Sequence, residues 1–215
     1  QLKKAMGILN KAKRPVLLCG GGVKISGAKA LLTQFAEKTG VPVITTIMGK
    51  GSIPTSHPLY VGNIGMHGNY ASNHAVSECD VMFSIGTRFN DRITGKISEF
   101  APRATIIHVD VDPASISRNI AVDIPIVGDA KAALQMMLGE ARQLQLEDWT
   151  QKIDEWKRKY PIQMGQQEQS QHQESNQNQI LTPELILRTI NTMFPESIVV
   201  TDVGQNQLWT TQYLE

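Results

Sequence analysis

From Gln1 to about Leu146, short runs of β-branched and other apolar residues alternate with stretches whose apolar positions recur every three to four residues. That alternation predicts an α/β unit in which strands and helices succeed one another around a parallel sheet. The pattern places strands at Val16 to Cys19, Val41 to Thr45, Val81 to Ile85, Thr105 to Asp110 and Pro125 to Val127. Between the first two, Ser26 is the expected cap of a helix with Ala28, Leu31, Leu32, Phe35 and Ala36 on one face, ended by Gly40. After the last strand, Asp129 is the expected cap of a helix bearing Ala130, Ala133, Leu134, Met137, Leu138 and Ala141, which closes the domain.

Beyond Leu146 the pattern changes. Residues 147–181 read as a helical stretch followed by a linker, because Gln163 to Gln179 holds eight Gln in 17 positions and almost no apolar residue. Such a composition buries too little surface to offset the entropy of ordering it. Order is expected again at Thr182-Pro183-Glu184, which supplies an N-cap, a proline at the first helical position and an acid in the first turn. The helix should run to about Met193. Ser197 to Thr201 then has the pattern of a buried strand, so 182–215 reads as the start of a second domain.

The 215 residues suffice for one ordinary core, and Lys+Arg 21 against Asp+Glu 20 leaves a net charge of +1. Neither disorder throughout nor a nucleic-acid-coating charge fits those numbers. The longest apolar runs, such as Pro15 to Cys19, fall far below the ~20 residues that cross a bilayer. The expectation is a soluble, cytoplasmic protein with no membrane or nucleic-acid partner. Cys19 and Cys79 lack metal-ligand spacing and are too few for a disulfide framework, so both read as reduced, buried thiols. The chain opens on Gln1, without an initiator Met, which reads as an internal piece of something longer.

Candidate chemistry lies where strands give way to loops, since open parallel sheets bind ligands outside the carboxyl ends of their strands. Gly20, Gly21 and Gly22 follow the first strand and allow backbone N–H groups near a phosphate or ribose; a tight strand-to-helix turn is the competing reading. The glycine-rich runs Thr45 to Gly51 and Gly62 to Gly68, the latter containing His67, occupy loop positions. Off the third predicted strand, Gly86-Thr87-Arg88-Phe89-Asn90-Asp91-Arg92 offers two guanidinium forks for an anion, against the alternative of a solvated loop with a local Asp–Arg pair. His108 to Pro113 ends the next strand in carboxylates that suit ribose hydroxyls, or else cap the following helix.

Read in order, "CGGG", "TTIMGKG", "GNIGMHG", "CDVMFSIGTRFNDRITG", "IIHVDVDP" and "IPIVGD" resemble the middle domain of thiamine-diphosphate enzymes. Within these, the combination of "GMHG" with "GTRFNDR" is similar to the acetolactate (acetohydroxyacid) synthase family, in its large, catalytic subunit. The closing "TDVGQNQLWTTQ" resembles the opening of that family's diphosphate-binding domain, with Asn206 where the family text "GQHQ" has its histidine. The resemblance implies a Rossmann-like domain over 1–146 that binds FAD in an extended pose, the flavin being structural in the overall reaction. It assigns cofactor contacts to Gly20, Gly21, Thr46, Ile47, Met66, His67, Gly86, Thr87, Arg88, Asp110, Val111, Gly128 and Asp129. Gly204, Gln205 and Asn206 fall on the thiamine-diphosphate side. Arg92 falls on the arginine taken to hold the carboxylate of the second 2-oxoacid.

For the intact enzyme the resemblance implies thiamine diphosphate with Mg²⁺, small 2-oxoacid substrates, a homo-oligomer (dimer or tetramer) and a regulatory small subunit. The family's activating glutamate and its metal motif match nothing in this chain, so no catalytic or metal-binding residue is assigned. The rival readings are a related FAD- or nucleotide-binding enzyme (glyoxylate carboligase, pyruvate oxidase or oxalyl-CoA decarboxylase), a nicotinamide-binding domain, or a nucleotide-binding module without chemistry.

Overall fold

A computed structural model describes residues 1–162 and 181–214. The Gln-rich run Gln163 to Gln179 lies outside the described residues. Two compact units divide at residue 160.

The first unit is built on six parallel strands, β1 (Pro15–Cys19), β2 (Val43–Thr45), β3 (Tyr60–Asn63), β4 (Val81–Ile85), β5 (Thr105–Asp110) and β6 (Ile124–Val127). Their spatial order is β3-β2-β1-β4-β5-β6, so the chain reverses its direction of travel across the sheet between β1 and β4. Helices α1 (Leu2–Leu9), α2 (Gly21–Ile25), α3 (Lys29–Thr39), α4 (Tyr70–Glu78), α5 (Asp91–Thr94), α6 (Ala130–Leu138) and α7 (Glu147–Lys159) flank it. This is the α/β architecture that the alternating pattern predicts. Every residue of β1 and β4 is buried, as central strands covered on both faces require, whereas edge strand β6 alternates buried and exposed.

Two local features depart from the sequence reading. Ser26 does not start the long helix: Gly20 opens the short α2, Ser26 closes it, and α3 begins only at Lys29. The break passes through Gly27 at φ +65°, a left-handed conformation that glycine adopts without steric cost. Gly40 ends α3 in the left-handed conformation, as its position predicts. Edge strand β3 ends in Gly62 and Asn63, where the glycine-rich run Gly62 to Gly68 predicts a loop. It forms anyway, since Asn69 donates from Nδ2 to the Val61 carbonyl at 2.8 Å and its carboxamide fills the place that a side chain at Gly62 would occupy.

Helix α7 packs as part of the first unit. Trp149 and Ile153 are buried, and the Trp149 indole donates to the Pro15 carbonyl at 3.0 Å. The compact unit therefore extends to Tyr160, past Leu146.

In the second unit, α8 (Pro183–Met193) starts as its cap predicts, with the Thr182 hydroxyl accepting from the Leu185 N–H, and α9 spans Gln205–Tyr213. The strand expected at Ser197 to Thr201 does not form. That segment carries no strand pairing, and Ile198 and Val200 are 93% and 88% exposed. A strand is made by its neighbours, and among the described residues this apolar run has none beside it.

Candidate functional site

The carboxyl ends of β1, β2, β4, β5 and β6 border one cleft of about 520 Å³. That size falls within the ~300 to 1,000 Å³ usual for small-molecule sites, and the place is the topological switch point between β1 and β4. The cleft exists because glycines let two loops lie backbone on backbone. A Cβ on Gly20 would stand 2.1 Å from the Gly86 carbonyl oxygen, and one on Gly22 would stand 2.7 Å from the Gly86 Cα. The Gly20 N–H donates to Ile85 O and the Gly22 N–H to Gly86 O. Both amides are thus spent on the sheet, which favours the tight-turn reading for these two residues; Gly21, at the first position of α2, lines the cleft beside them.

The next wall comes from the loop after β2. Thr46 Oγ1 accepts from the Gly49 N–H at 3.0 Å and closes a 3-10 turn, Ile47–Gly49. Gly49 presses on the Cys19 carbonyl so closely that a Cβ there would lie 2.0 Å from it. That contact turns Met48 into the cleft, where it is 65% exposed. Ile25 and Val111 are likewise exposed on the lining, giving it an apolar share beside its polar groups.

The polar side is more committed than the sequence suggests. Asp110 Oδ1 accepts from the Asp112 N–H at 2.9 Å, Asp112 accepts from Ala114 N–H and the Ser115 hydroxyl, and Asp129 Oδ1 accepts from Ala132 N–H at the start of α6. Hydrogen bonds from the Ala114 amide and the Ser115 hydroxyl hold the Asp112 carboxyl below its ordinary range. The cap reading therefore holds for Asp112 and Asp129. Arg88 differs: its side chain is exposed on the lining, and no carboxylate lies within 4.0 Å of it among the described residues.

His108 lies beneath this loop, fully buried, and its Nε2 meets the Thr87 carbonyl at 2.8 Å. Burial lowers its pKa from the ordinary 6.5, against the opposing pull of that hydrogen bond and of Asp110.

Of the residues singled out in the sequence, Gly20, Gly21, Thr46, Gly86, Thr87, Arg88, Asp110, Val111, Gly128 and Asp129 come together around this cleft. Ile47, Met66, His67 and Arg92 do not line it. Met66 and His67 are exposed on the loop between β3 and α4, tied to α5 by the Met66 N–H on the Arg92 carbonyl at 3.0 Å. Arg92 is exposed, with Asp91 at 3.9 Å. Gly204, Gln205 and Asn206 belong to the second unit, where Asn206 Oδ1 accepts from the Gln207 N–H at the start of α9. Sequence reasoning missed Ile25, Met48, Asn90 and Ile93 on the lining. Met48 and Asn90 sat inside the runs already marked as loops after strands, so position was the available signal. Among the described residues, no three His, Cys, Asp or Glu side chains cluster as a metal site, and no helix is long and apolar enough to cross a membrane.

Comparison with known proteins agrees with this geometry. The family described as thiamine pyrophosphate enzyme, central domain, matches residues 2–137. A probable acetolactate synthase large subunit of Methanocaldococcus jannaschii is 44% identical over all of this chain, which covers 36% of that relative. The acetolactate synthase large subunit of Cyanidium caldarium is 36% identical, again with 36% of its length covered, and the acetolactate synthase of Mycobacterium bovis is 36% identical with 34% covered. The chain thus spans about a third of the length of the curated relatives it matches. Sheet order, the cleft at its switch point and the match over most of the first unit agree: the chain belongs to the central-domain family of thiamine pyrophosphate enzymes.

Proposed function

We propose that this chain is the central part of an acetolactate synthase large subunit and that its cleft holds the FAD of that enzyme. The observation that carries this reading is Arg88, a guanidinium with no carboxylate partner among the described residues, on the lining of a cleft that also exposes Ile25, Met48 and Val111. A flavin dinucleotide offers a diphosphate to such a cation and apolar ring edges to such side chains. The interlocked Gly20, Gly22 and Gly86 keep the floor free of side chains, so the cleft fits an extended ligand. Arg88 would face the diphosphate, Asp110 and Asp129 would accept from hydroxyls with their remaining lone pairs, and Gly21, Thr46, Thr87, Val111 and Gly128 would line the path. Ile47, Met66 and His67, outside the lining, are proposed to meet the ligand where it leaves the cleft.

In the intact enzyme, thiamine diphosphate with Mg²⁺ would supply the chemistry for decarboxylating pyruvate and transferring the remaining unit to a second 2-oxoacid. Among the described residues, the start of α9 at Gly204, Gln205 and Asn206 would meet that cofactor. Arg92, exposed and off the flavin cleft, would hold the carboxylate of the second 2-oxoacid. The intact protein would be a cytoplasmic homo-oligomer served by a regulatory small subunit, in branched-chain amino-acid biosynthesis.

Titration with FAD, followed by flavin fluorescence, tests the cleft: saturable binding is expected, and none at ~1 mM, an affinity worth only about −4 kcal/mol, removes the reading. In the full-length enzyme, Arg92→Ala should impair carboligation more than release of carbon dioxide from the first pyruvate. Equal loss of both would remove the role given to Arg92. The chain alone, given FAD, thiamine diphosphate, Mg²⁺ and pyruvate, should form no acetolactate.

A further inference from the structure

The geometry points to His108 as a positioning residue that, as the neutral Nε2–H tautomer, sets the Thr87–Arg88 loop so that Arg88 is presented to the cleft. This rests on the reading of that cleft as a flavin-nucleotide site and deepens it. A carbonyl only accepts, so the 2.8 Å contact between His108 Nε2 and the Thr87 oxygen places the imidazole proton on Nε2. The other nitrogen, Nδ1, is buried with no hydrogen-bond partner among the described residues, and so is the hydroxyl oxygen of Ser84, its register partner on β4. A proton on Nδ1 would therefore be buried without an acceptor, which the burial of the whole ring makes unfavourable.

The ring is also fixed from other sides. Phe89 stands edge-on to it with centroids 4.9 Å apart, and Asp110 Oδ2 is 3.7 Å from Nε2, beyond hydrogen-bond range but close enough to favour a proton there. One imidazole thus touches the loop residues on both sides of Arg88, Thr87 through its carbonyl and Phe89 through its ring. The Arg88 carbonyl is held separately, by the Asn119 carboxamide at 2.9 Å. With its backbone fixed at these three points, Arg88 keeps only side-chain freedom, which lowers the ordering cost of meeting an anion.

The test compares His108→Gln, whose carboxamide can still donate to Thr87 O, with His108→Leu, which cannot. Binding of FAD to the 215-residue chain is measured alongside the backbone amide shifts of Thr87, Arg88 and Phe89. His108→Leu should weaken FAD binding by roughly tenfold or more and displace those three amides, and His108→Gln should restore both, with affinity within about threefold of the parent. Leu and parent chains binding alike, or a folded Gln variant as weak as Leu, would overturn the proposal. Long-range nitrogen–proton spectra of the parent chain decide the tautomer without any variant: a proton on Nδ1 at neutral pH overturns it. If the parent chain binds no FAD, the flavin reading fails, while the tautomer and the three amide shifts still decide whether His108 positions the loop.

Discussion

Two apolar runs of five residues, Pro15–Cys19 and 197–201, have nearly the same strand pattern and opposite fates. The first becomes β1, hydrogen-bonded to β2 and β4 and wholly buried. The second pairs with no strand among the described residues, and Ile198 and Val200 are almost fully exposed. Local pattern is common to both; what differs is a neighbour on each side. Strand formation is therefore a property of the assembled sheet, and ligand chemistry follows it, since the cleft is made of loops that only an assembled sheet brings together.

The difference is open to direct attack. Leu17→Ala removes a fully buried side chain from β1 and should cost about 2–5 kcal/mol in a denaturant titration. Val200→Ala should change stability by less than about 0.5 kcal/mol, because there is no packing to lose. Comparable losses at the two positions would mean that the 197–201 segment is packed after all.

Gly20→Ala probes the site rather than the core. Its Cβ would lie 2.1 Å from the Gly86 carbonyl oxygen, a backbone atom with little room to move, so a loss of about 1–3 kcal/mol is expected by the same titration. The added methyl should also spread the β1 and β4 loops and weaken FAD binding beyond the stability loss. Gly128→Ala, where a Cβ meets nothing within 4 Å, is the control and should be close to neutral in stability.

After these substitutions comes the pH response of His108. Its pKa falls below the ordinary 6.5 on folding, mainly through burial, so the unfolded chain binds the proton more readily than the folded one. The stabilisation is complete above pH 6.5 and declines as the pH falls below that value towards the folded pKa. A parent chain that loses stability over that interval, beside a His108→Gln variant whose decline there is shallower, is the expected pair of curves. Parallel curves would show that His108 contributes nothing to the slope.

Much of this was legible in the chain itself. β4 and β5 fall on the predicted residues, and the caps at Asp129 and Thr182 act as their residue types predict, because those signals are local. β3 was not legible: its pairing depends on the Asn69 carboxamide reaching Val61 and Gly62 from the start of the next helix. The cleft was legible as a set of loops after strands, and Gly86 and Arg88 fell within it. Which backbone groups remain open for a ligand was not, because the amides of Gly20 and Gly22 are consumed by carbonyls more than 60 residues away in sequence. For the same reason His108, read only as part of a strand ending in carboxylates, gave no sign of its hold on Thr87.

The claim at the centre is that the carboxyl ends of the parallel strands form a flavin-nucleotide site. Backbone amide shifts of the whole chain recorded with increasing FAD test it most directly. The expected result is saturable change concentrated at Gly21, Thr46, Thr87, Arg88, Val111 and Gly128, with the amino ends of the same strands unmoved. Change confined to the amino ends of the strands or to residues 181–214, or no change at ~1 mM FAD, would contradict it.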